Sequence, residues 1–279
     1  MKAALVQLCS VDDPEANLPH TLALIEDAVA QGAGFVLTPE VTNCVSASRA
    51  RQEAVLQREE DDITLAALRD VARKRAIWLL IGSLALRTGD ADGRFANRSF
   101  LIAPDGQIVA RYDKIHMFDV VISESESYRE SAGYRPGNAA CLAPTPFGAL
   151  GMTICYDLRF PHLYRTLAQR GAEIITVPSA FSRVTGAAHW EMLLRARAIE
   201  TGAYVLAPAQ TGVHTGQLGK PRETYGHSLA ISPWGEVLGD AGGAPGVITV
   251  DLDPSEVAKS RKRIPSLTHD VAFSGPRIL

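Results

Sequence analysis

The chain has 279 residues, enough to bury a large core, and it is expected to form one α/β domain over 1–279. A formal net charge of −3, with Lys and Arg scattered, leaves no basic stripe for nucleic acid or an anionic membrane. Hydrophobic residues at 46% and charged residues at 21% exclude a disordered or fibrous chain. No run reaches the roughly 18 apolar residues of a membrane span, and the opening apolar run is too short for a signal peptide, so a cytoplasmic protein is expected.

In chain order, residues 3–8 read as a first strand. A helix follows over 17–31, with Leu18, Leu22, Ile25 and Val29 at three- and four-residue spacing, and Gly32 and Gly34 end it. Residues 35–38 read as a short buried strand that runs out at Pro39-Glu40. A helix over 62–75 and a strand over 77–86 come next. Residues 98–103 and 107–112 flank Pro104-Asp105-Gly106 and read as a hairpin, since Asp-Gly between apolar runs is a strong turn signal. Its second strand leads into Asp113-Lys114. Residues 119–138 carry Ser, Glu, Gly and Pro without periodicity and are expected to form a long functional loop. Strands over 141–144 and 150–156 follow, then a helix over 161–170 closed by Gly171 and a strand over 173–178. A helix over 189–201 closed by Gly202 and a strand over 203–209 complete an alternating α/β pattern. An antiparallel tail over 227–232, 237–238 and 247–251 precedes a helix from Pro254.

The four cysteines, Cys9, Cys44, Cys141 and Cys155, show neither a CxxC pair nor a metal-ligand spacing with the histidines, and no metal is expected. Three read as buried small hydrophobes. Cys155 differs in its company: it lies where an apolar strand runs out, as do Glu40 and Lys114. Groups at strand ends of open α/β sheets converge on a common crevice. The three chemistries complement one another. A thiol attacks as thiolate and needs a base or a neighbouring cation. Glu40 can take its proton and deliver it to a leaving amine, a task that calls for a pKa above that of a solvated carboxylate; burial favours this and Lys114 opposes it. Lys114 supplies charge for an oxyanion, and the backbone N–H of Tyr156 is a second donor.

Leu37-Thr38-Pro39-Glu40, Tyr112-Asp113-Lys114-Ile115-His116-Met117-Phe118-Asp119 and Ile154-Cys155-Tyr156-Asp157-Leu158-Arg159-Phe160-Pro161 together resemble the Glu, Lys and Cys motifs of the nitrilase, or carbon–nitrogen hydrolase, superfamily. The resemblance runs from the first strand to about His269. It includes Pro178-Ser179-Ala180-Phe181, Gly186-Ala187-Ala188-His189-Trp190-Glu191, Arg195-Ala196-Arg197-Ala198-Ile199-Glu200-Thr201 and Tyr225-Gly226-His227-Ser228. It implies an α-β-β-α sandwich, usually assembled as a homodimer. Glu40 is then the general base, Lys114 the cation that stabilises the intermediate and Cys155 the acylated nucleophile. Glu130, in Tyr128-Arg129-Glu130-Ser131, matches a second family glutamate that orders the site; on its own it also suits a solvated loop carboxylate. The reaction implied is attack on a carboxamide, loss of ammonia protonated by Glu40, and hydrolysis of a thioester by water, with no metal or organic cofactor. His116, His162, His189 and His227 are then structural.

The wording from 178 to 210, through Ser179, Ala196, Ile199 and Gln210, is more similar to deaminated-glutathione amidases than to ω-amidases acting on α-ketoglutaramate. In such relatives an Arg, a Phe and a Thr meet the substrate carboxylate, and they map onto Arg159, Phe181 and Thr185. A guanidinium grips a carboxylate through paired hydrogen bonds, although Arg159 equally suits a structural ion pair. Ser123-Glu124-Ser125-Glu126-Ser127 and residues 211–222 depart from the relatives, and loops at strand ends set substrate choice. The expectation is a cysteine-dependent amidase of a small α-keto acid amide, deaminated glutathione first. The alternatives are an ω-amidase, another aliphatic amidase or nitrilase, and a non-catalytic metabolite-binding relative.

Overall fold

Alternate residues of the first strand, β1 (Lys2–Gln7), are buried on opposite faces, as the two-residue period of a strand requires. Ala4 and Val6 join Ile25 of helix α1 (Pro14–Ala30) in one apolar layer, whereas Ala3 and Leu5 join Leu150, Met152 and Ile175 of a second sheet. A strand apolar on both faces needs cover on both. That requirement stacks the chain as helix, sheet, sheet, helix.

The computed structural model describes residues 1–124, 126–218 and 221–276. In the first sheet, β2 (Phe35–Leu37) and β3 (Trp78–Arg87) run parallel to β1, and β4 (Phe95–Ile102) and β5 (Ile108–Asp113) return antiparallel. Helices α2 (Arg49–Val55) and α3 (Ile63–Arg75) lie between β2 and β3 in sequence. Leu65, Leu68 and Val71 of α3 pack with α1 over the outer face. A small hairpin, β6 (Asp119–Val121) with β7 (Ser127–Arg129), then leads into a 3-10 turn at Glu130–Ala132.

The second sheet follows the same plan. Its parallel centre is β9 (Leu150–Met152), β10 (Ile174–Thr176) and β11 (Tyr204–Ala207), flanked by β8 (Cys141–Ala143). Helices α4 (Pro161–Gln169) and α5 (Arg183–Thr201) cover it through Leu163, Leu167, Trp190 and Leu194. After the hairpin β12 (Thr211–His214) and β13 (Arg222–Tyr225), strands β14 (Leu229–Ile231) and β15 (Val237–Asp240) extend this sheet. Strand β16 (Gly246–Asp251) crosses back to pair antiparallel with β1, and α6 (Pro254–Arg263) follows. The two sheets have the orders β16-β1-β2-β3-β4-β5 and β15-β14-β11-β10-β9-β8.

Several expected boundaries move for identifiable reasons. Helix α1 starts at Pro14, three residues early, because Asp13 accepts the N–H groups of Glu15 and Ala16 at 3.0 and 3.4 Å and Pro suits a first helical position. Helix α5 starts at Arg183 rather than 189, since Ser182 caps it by accepting the Thr185 N–H. The strand expected over 150–156 stops at Met152, and the expected tail divides between the two sheets. Helix α2, capped by Ser48, lies where no element was expected. The loop expected over 119–138 contains β6, β7 and the 3-10 turn. Ser125 of that loop and residues 219–220 of the departing segment 211–222 lie outside the described residues.

Gly82, in β3, lies where the two sheets approach. A Cβ there would meet the Thr38 carbonyl oxygen at 2.0 Å and both the Pro39 carbonyl oxygen and Pro178 Cβ at 2.5 Å. Thr38-Pro39 leads to Glu40, and the Pro178 carbonyl accepts the Cys155 N–H at 3.0 Å. A methyl group at Gly82 therefore wedges apart the segments that carry two reactive residues. Gly82→Ala is expected to cost at least about 2 kcal/mol in urea unfolding, with a parallel loss of activity. An unchanged midpoint and full activity would refute the close approach.

Candidate active site

Glu40 follows β2, Lys114 follows β5 and Cys155 follows β9. The three strand ends do meet, but not within one open sheet as the sequence suggested. Strands β2 and β5 belong to the first sheet and β9 to the second. The crevice lies between the ends of two stacked sheets, because each sheet turns one face toward the other.

Lys114 is 2% exposed. A buried ammonium requires charged partners with good geometry, and two carboxylates supply them. Its Nζ donates to Glu40 Oε1 at 2.9 Å and to Glu130 Oε1 and Oε2 at 3.0 and 2.8 Å. Glu130, on the 3-10 turn, is thus drawn into the site and is not a solvated loop group. Its Oε2 also accepts the Phe118 N–H at 2.6 Å. Asn97 of β4 was not anticipated. Its Nδ2 donates to Glu40 Oε1 at 2.9 Å and to Glu130 Oε1 at 3.3 Å, bridging the two acids. No local signal marked it, since it precedes Arg98 and Ser99 in a strand that mixes polar and apolar residues. Glu40 Oε2 accepts the Ala180 N–H at 2.8 Å, and Gln210 holds the Glu40 carbonyl at 3.1 Å.

Cys155 opens a 3-10 turn, Cys155–Arg159, with φ 49°. This left-handed conformation is unfavourable for a residue with a side chain and survives only where surrounding bonds impose it. Asp157 imposes it. Fully buried, it accepts the Ile154 N–H at 2.9 Å and the Tyr112 hydroxyl at 2.6 Å through Oδ2. Its Oδ1 accepts the His116 N–H at 3.1 Å and lies 2.7 Å from His116 Nδ1. One carboxylate therefore ties the segment around Lys114 to the turn of the cysteine. His116, stacked on Phe160 at 3.5 Å, has the structural place expected of it. Among the described residues the Tyr156 N–H has no backbone acceptor outside its own turn.

The electrostatics assign protons. For Glu40, burial pushes the pKa up, but the Lys114 charge and hydrogen bond, helped by Arg222, bring it below the ordinary carboxylate value. The requirement for a raised Glu40 pKa, argued from the sequence, is therefore not met: Lys114 and the other neighbours together outweigh desolvation. Burial and the Glu40 charge hold the Cys155 thiol far above its ordinary value against the opposing pull of Lys114 and the Ala180 N–H. Burial lowers the Lys114 pKa, yet Glu130, Glu40 and Cys155 together leave it well above normal. The resting site holds a carboxylate, an ammonium and a neutral thiol.

The three candidate substrate residues are placed less uniformly. The Arg159 guanidinium lies 5.5 Å from the Phe181 ring and 3.2 Å from His189 Nδ1. No ion pair holds Arg159 among the described residues, so the structural pairing considered for it is not found. Thr185, in the first turn of α5, places its hydroxyl 2.9 Å from that of Ser182. A surface cleft of about 400 Å³ beside Arg49, Arg58, Arg87 and Arg94 contains none of the candidate residues. Among the described residues no group of three or more His, Cys, Asp or Glu is arranged to hold a metal ion.

Residues 2–262 match the family model described as carbon-nitrogen hydrolase. The chain is 41% identical over 271 residues to a deaminated glutathione amidase of Yersinia enterocolitica, covering 96% of this chain and 92% of the relative. Among solved structures, it is similar to the Caenorhabditis elegans NitFhit protein at TM-score 0.87 and 35% identity, covering 96% of this chain and 64% of that one. It is similar also to Saccharomyces cerevisiae Nit3, a member of branch 10 of the nitrilase superfamily, at TM-score 0.83 and 30% identity, covering 95% and 94%.

Replacing Asp157 by Ala orphans a buried hydroxyl and two backbone N–H groups. Urea denaturation should register a loss of about 3 kcal/mol or more. A loss below about 1 kcal/mol would mean that the cysteine turn is held by other contacts.

Proposed function

From the premise that the chain belongs to the carbon–nitrogen hydrolase family and hydrolyses amide C–N bonds, we propose that it cleaves the amide of a small α-keto acid through a thioester on Cys155, with deaminated glutathione as substrate. The observation that carries this reading is the bridging of Glu40 and Glu130 by Lys114 beside the buried thiol.

Glu40, ionised at rest, takes the thiol proton as Cys155 Sγ attacks the amide carbon. A thiol with so high a pKa forms no standing thiolate, so proton transfer accompanies attack. Negative charge moves to the carbonyl oxygen, where the Lys114 ammonium and the Tyr156 N–H stabilise it. Glu40 then gives its proton to the departing nitrogen, and the C–N bond breaks to leave a thioester. Water, deprotonated by Glu40, attacks the thioester; the carboxylic acid departs and the sulfur recovers a proton. Glu130 and Asn97 keep Lys114 and Glu40 in register throughout. Because Lys114 holds the Glu40 pKa down, protonated Glu40 is a strong acid toward the leaving amine.

The identity of the amine separates the candidate substrates. Deaminated glutathione joins its α-keto acid to a cysteinylglycine unit through a secondary amide, so hydrolysis releases cysteinylglycine. The loss of ammonia expected from the sequence is thereby corrected for this substrate: ammonia is the leaving group only for a primary amide such as α-ketoglutaramate. Relatives bearing the first name support the first choice. Arg159 beside Phe181 suits the keto-acid carboxylate, and Thr185 can add a hydroxyl donor. The intact Glu40, Lys114 and Cys155 cluster argues against a purely binding relative. We further propose a single domain working in the cytoplasm as a homodimer. Val184, Met192 and Ile199, exposed along α5, offer an apolar face for a second copy.

Cys155→Ala should abolish turnover, while mass spectrometry of wild type with a slow substrate should find an acyl group on Cys155; an adduct on Cys9, Cys44 or Cys141 instead would overturn the assignment. Cysteinylglycine release should exceed ammonia release from α-ketoglutaramate by tenfold or more in kcat/KM, and the reverse order would make the enzyme an ω-amidase. For the pH profile, the Glu40 pKa is depressed below 4.5. Its favourable interactions are present above that value and lost as pH falls through the depressed one. The acid limb of kcat/KM should therefore lie below 4.5 with the fold intact by circular dichroism, and a limb between pH 6 and 7 would contradict the proton assignment.

A further inference from the structure

A closed circuit of contacts runs beside Cys155. Arg159 stands over Tyr156 at 6.0 Å, Tyr156 meets Phe118 at 5.1 Å, and Phe118 meets Tyr128 at 5.0 Å. Arg222 lies 5.7 Å from the Tyr128 ring and donates from Nη2 to the Ala180 carbonyl at 2.6 Å. Ala180 adjoins Phe181, which returns the circuit to Arg159 at 5.5 Å. Two guanidinium groups thus stand in one ring of mostly aromatic walls. Cys155 immediately precedes Tyr156, and Glu40 holds the N–H of the same Ala180 whose carbonyl Arg222 holds.

Arg222 is incompletely used. Its Nε is buried without a hydrogen-bond partner, and among the described residues no carboxylate lies within 4.0 Å of its guanidinium. The adjacent Glu223 pairs with Arg183, and Glu126 accepts the Tyr128 hydroxyl. A guanidinium without a carboxylate partner can take an anionic ligand through its Nη groups, which would offset the cost of the sequestered Nε.

The substrate proposed above carries two carboxylates, one on the α-keto acid and one at the far end of the leaving dipeptide; α-ketoglutaramate has only the first. Arg159 matches the acyl side. A dipeptide spans at most roughly 7 Å, and Arg222 is separated from the general base by the single residue Ala180. We infer that Arg222 forms a leaving-group subsite, pairing with the terminal carboxylate of the cysteinylglycine unit. This assignment rests on the substrate reading above. It makes the enzyme selective for amides whose departing amine ends in a carboxylate.

The test measures kcat/KM for deaminated glutathione and for its analogue ending in a glycine carboxamide, on wild type and on Arg222→Met. Wild type should favour the free carboxylate by roughly 10- to 100-fold, mostly through KM, and Arg222→Met should bring that ratio close to one. General damage to Ala180 or Glu40 cancels from a ratio taken on one enzyme. Arg222→Gln, which can still reach the Ala180 carbonyl, reads the same ratio if Arg222→Met does not fold. A wild type without preference, or a variant that keeps it, overturns the subsite and leaves the substrate reading standing. Failure of wild type to cleave either peptide while it hydrolyses α-ketoglutaramate overturns the substrate reading, and the subsite with it.

Discussion

Lys114 carries an ammonium into a region where it is 2% exposed, and the arrangement around it follows from that burden. One cation faces two carboxylates, Glu40 and Glu130, and the amide of Asn97 ties both acids together. Removing Lys114 would leave two buried carboxylates without their cation, a far larger penalty than the loss of a surface pair. The cluster draws on the end of β2, the middle of β4, the end of β5 and the turn after β7. Few features of the fold could change without disturbing it.

Two carboxylates and one ammonium leave the cluster with a formal charge of −1, and this charge governs the chemistry. Next to it a thiolate is disfavoured, so Cys155 stays neutral until a substrate carbonyl is there to receive the charge. In the mechanism proposed above, the proton then passes to Glu40 and the negative charge to an oxygen facing Lys114. The count of charges inside the site stays constant through the step, which limits the desolvation cost. The conformation of Cys155 has the same origin in enforced geometry: Asp157 holds a left-handed turn that leaves the buried thiol beside Glu40 and Lys114.

The comparison of sequence with structure is clearest at particular residues. Leu5 and Val6 alternate faces, and their apolar period predicts a strand covered on both sides. Asp13-Pro14 carried a helix start that periodicity alone placed three residues late, because capping chemistry rather than the apolar stripe sets the boundary. Glu40, Lys114 and Cys155 were legible as reactive types at strand ends. Glu130 was visible only through its motif, since a glutamate in a polar loop has no local signal of burial. Asn97, Asp157 and Arg222 stayed silent for the same reason: their partners are distant in sequence.

What the sequence by itself determined was the alternating α/β order, the two-faced strands that demand a layered stack, and the reactive side chains at strand ends. Each is a property of neighbouring residues, where spacing and side-chain chemistry are read directly. Tertiary structure alone decided that the strand ends belong to two sheets, that the neighbours of Glu40, Lys114 foremost, together lower its pKa more than burial raises it, and that two arginines join one ring of aromatic contacts. Those outcomes depend on distances between residues tens to hundreds of positions apart, and charge interactions in a buried site change steeply with such distances.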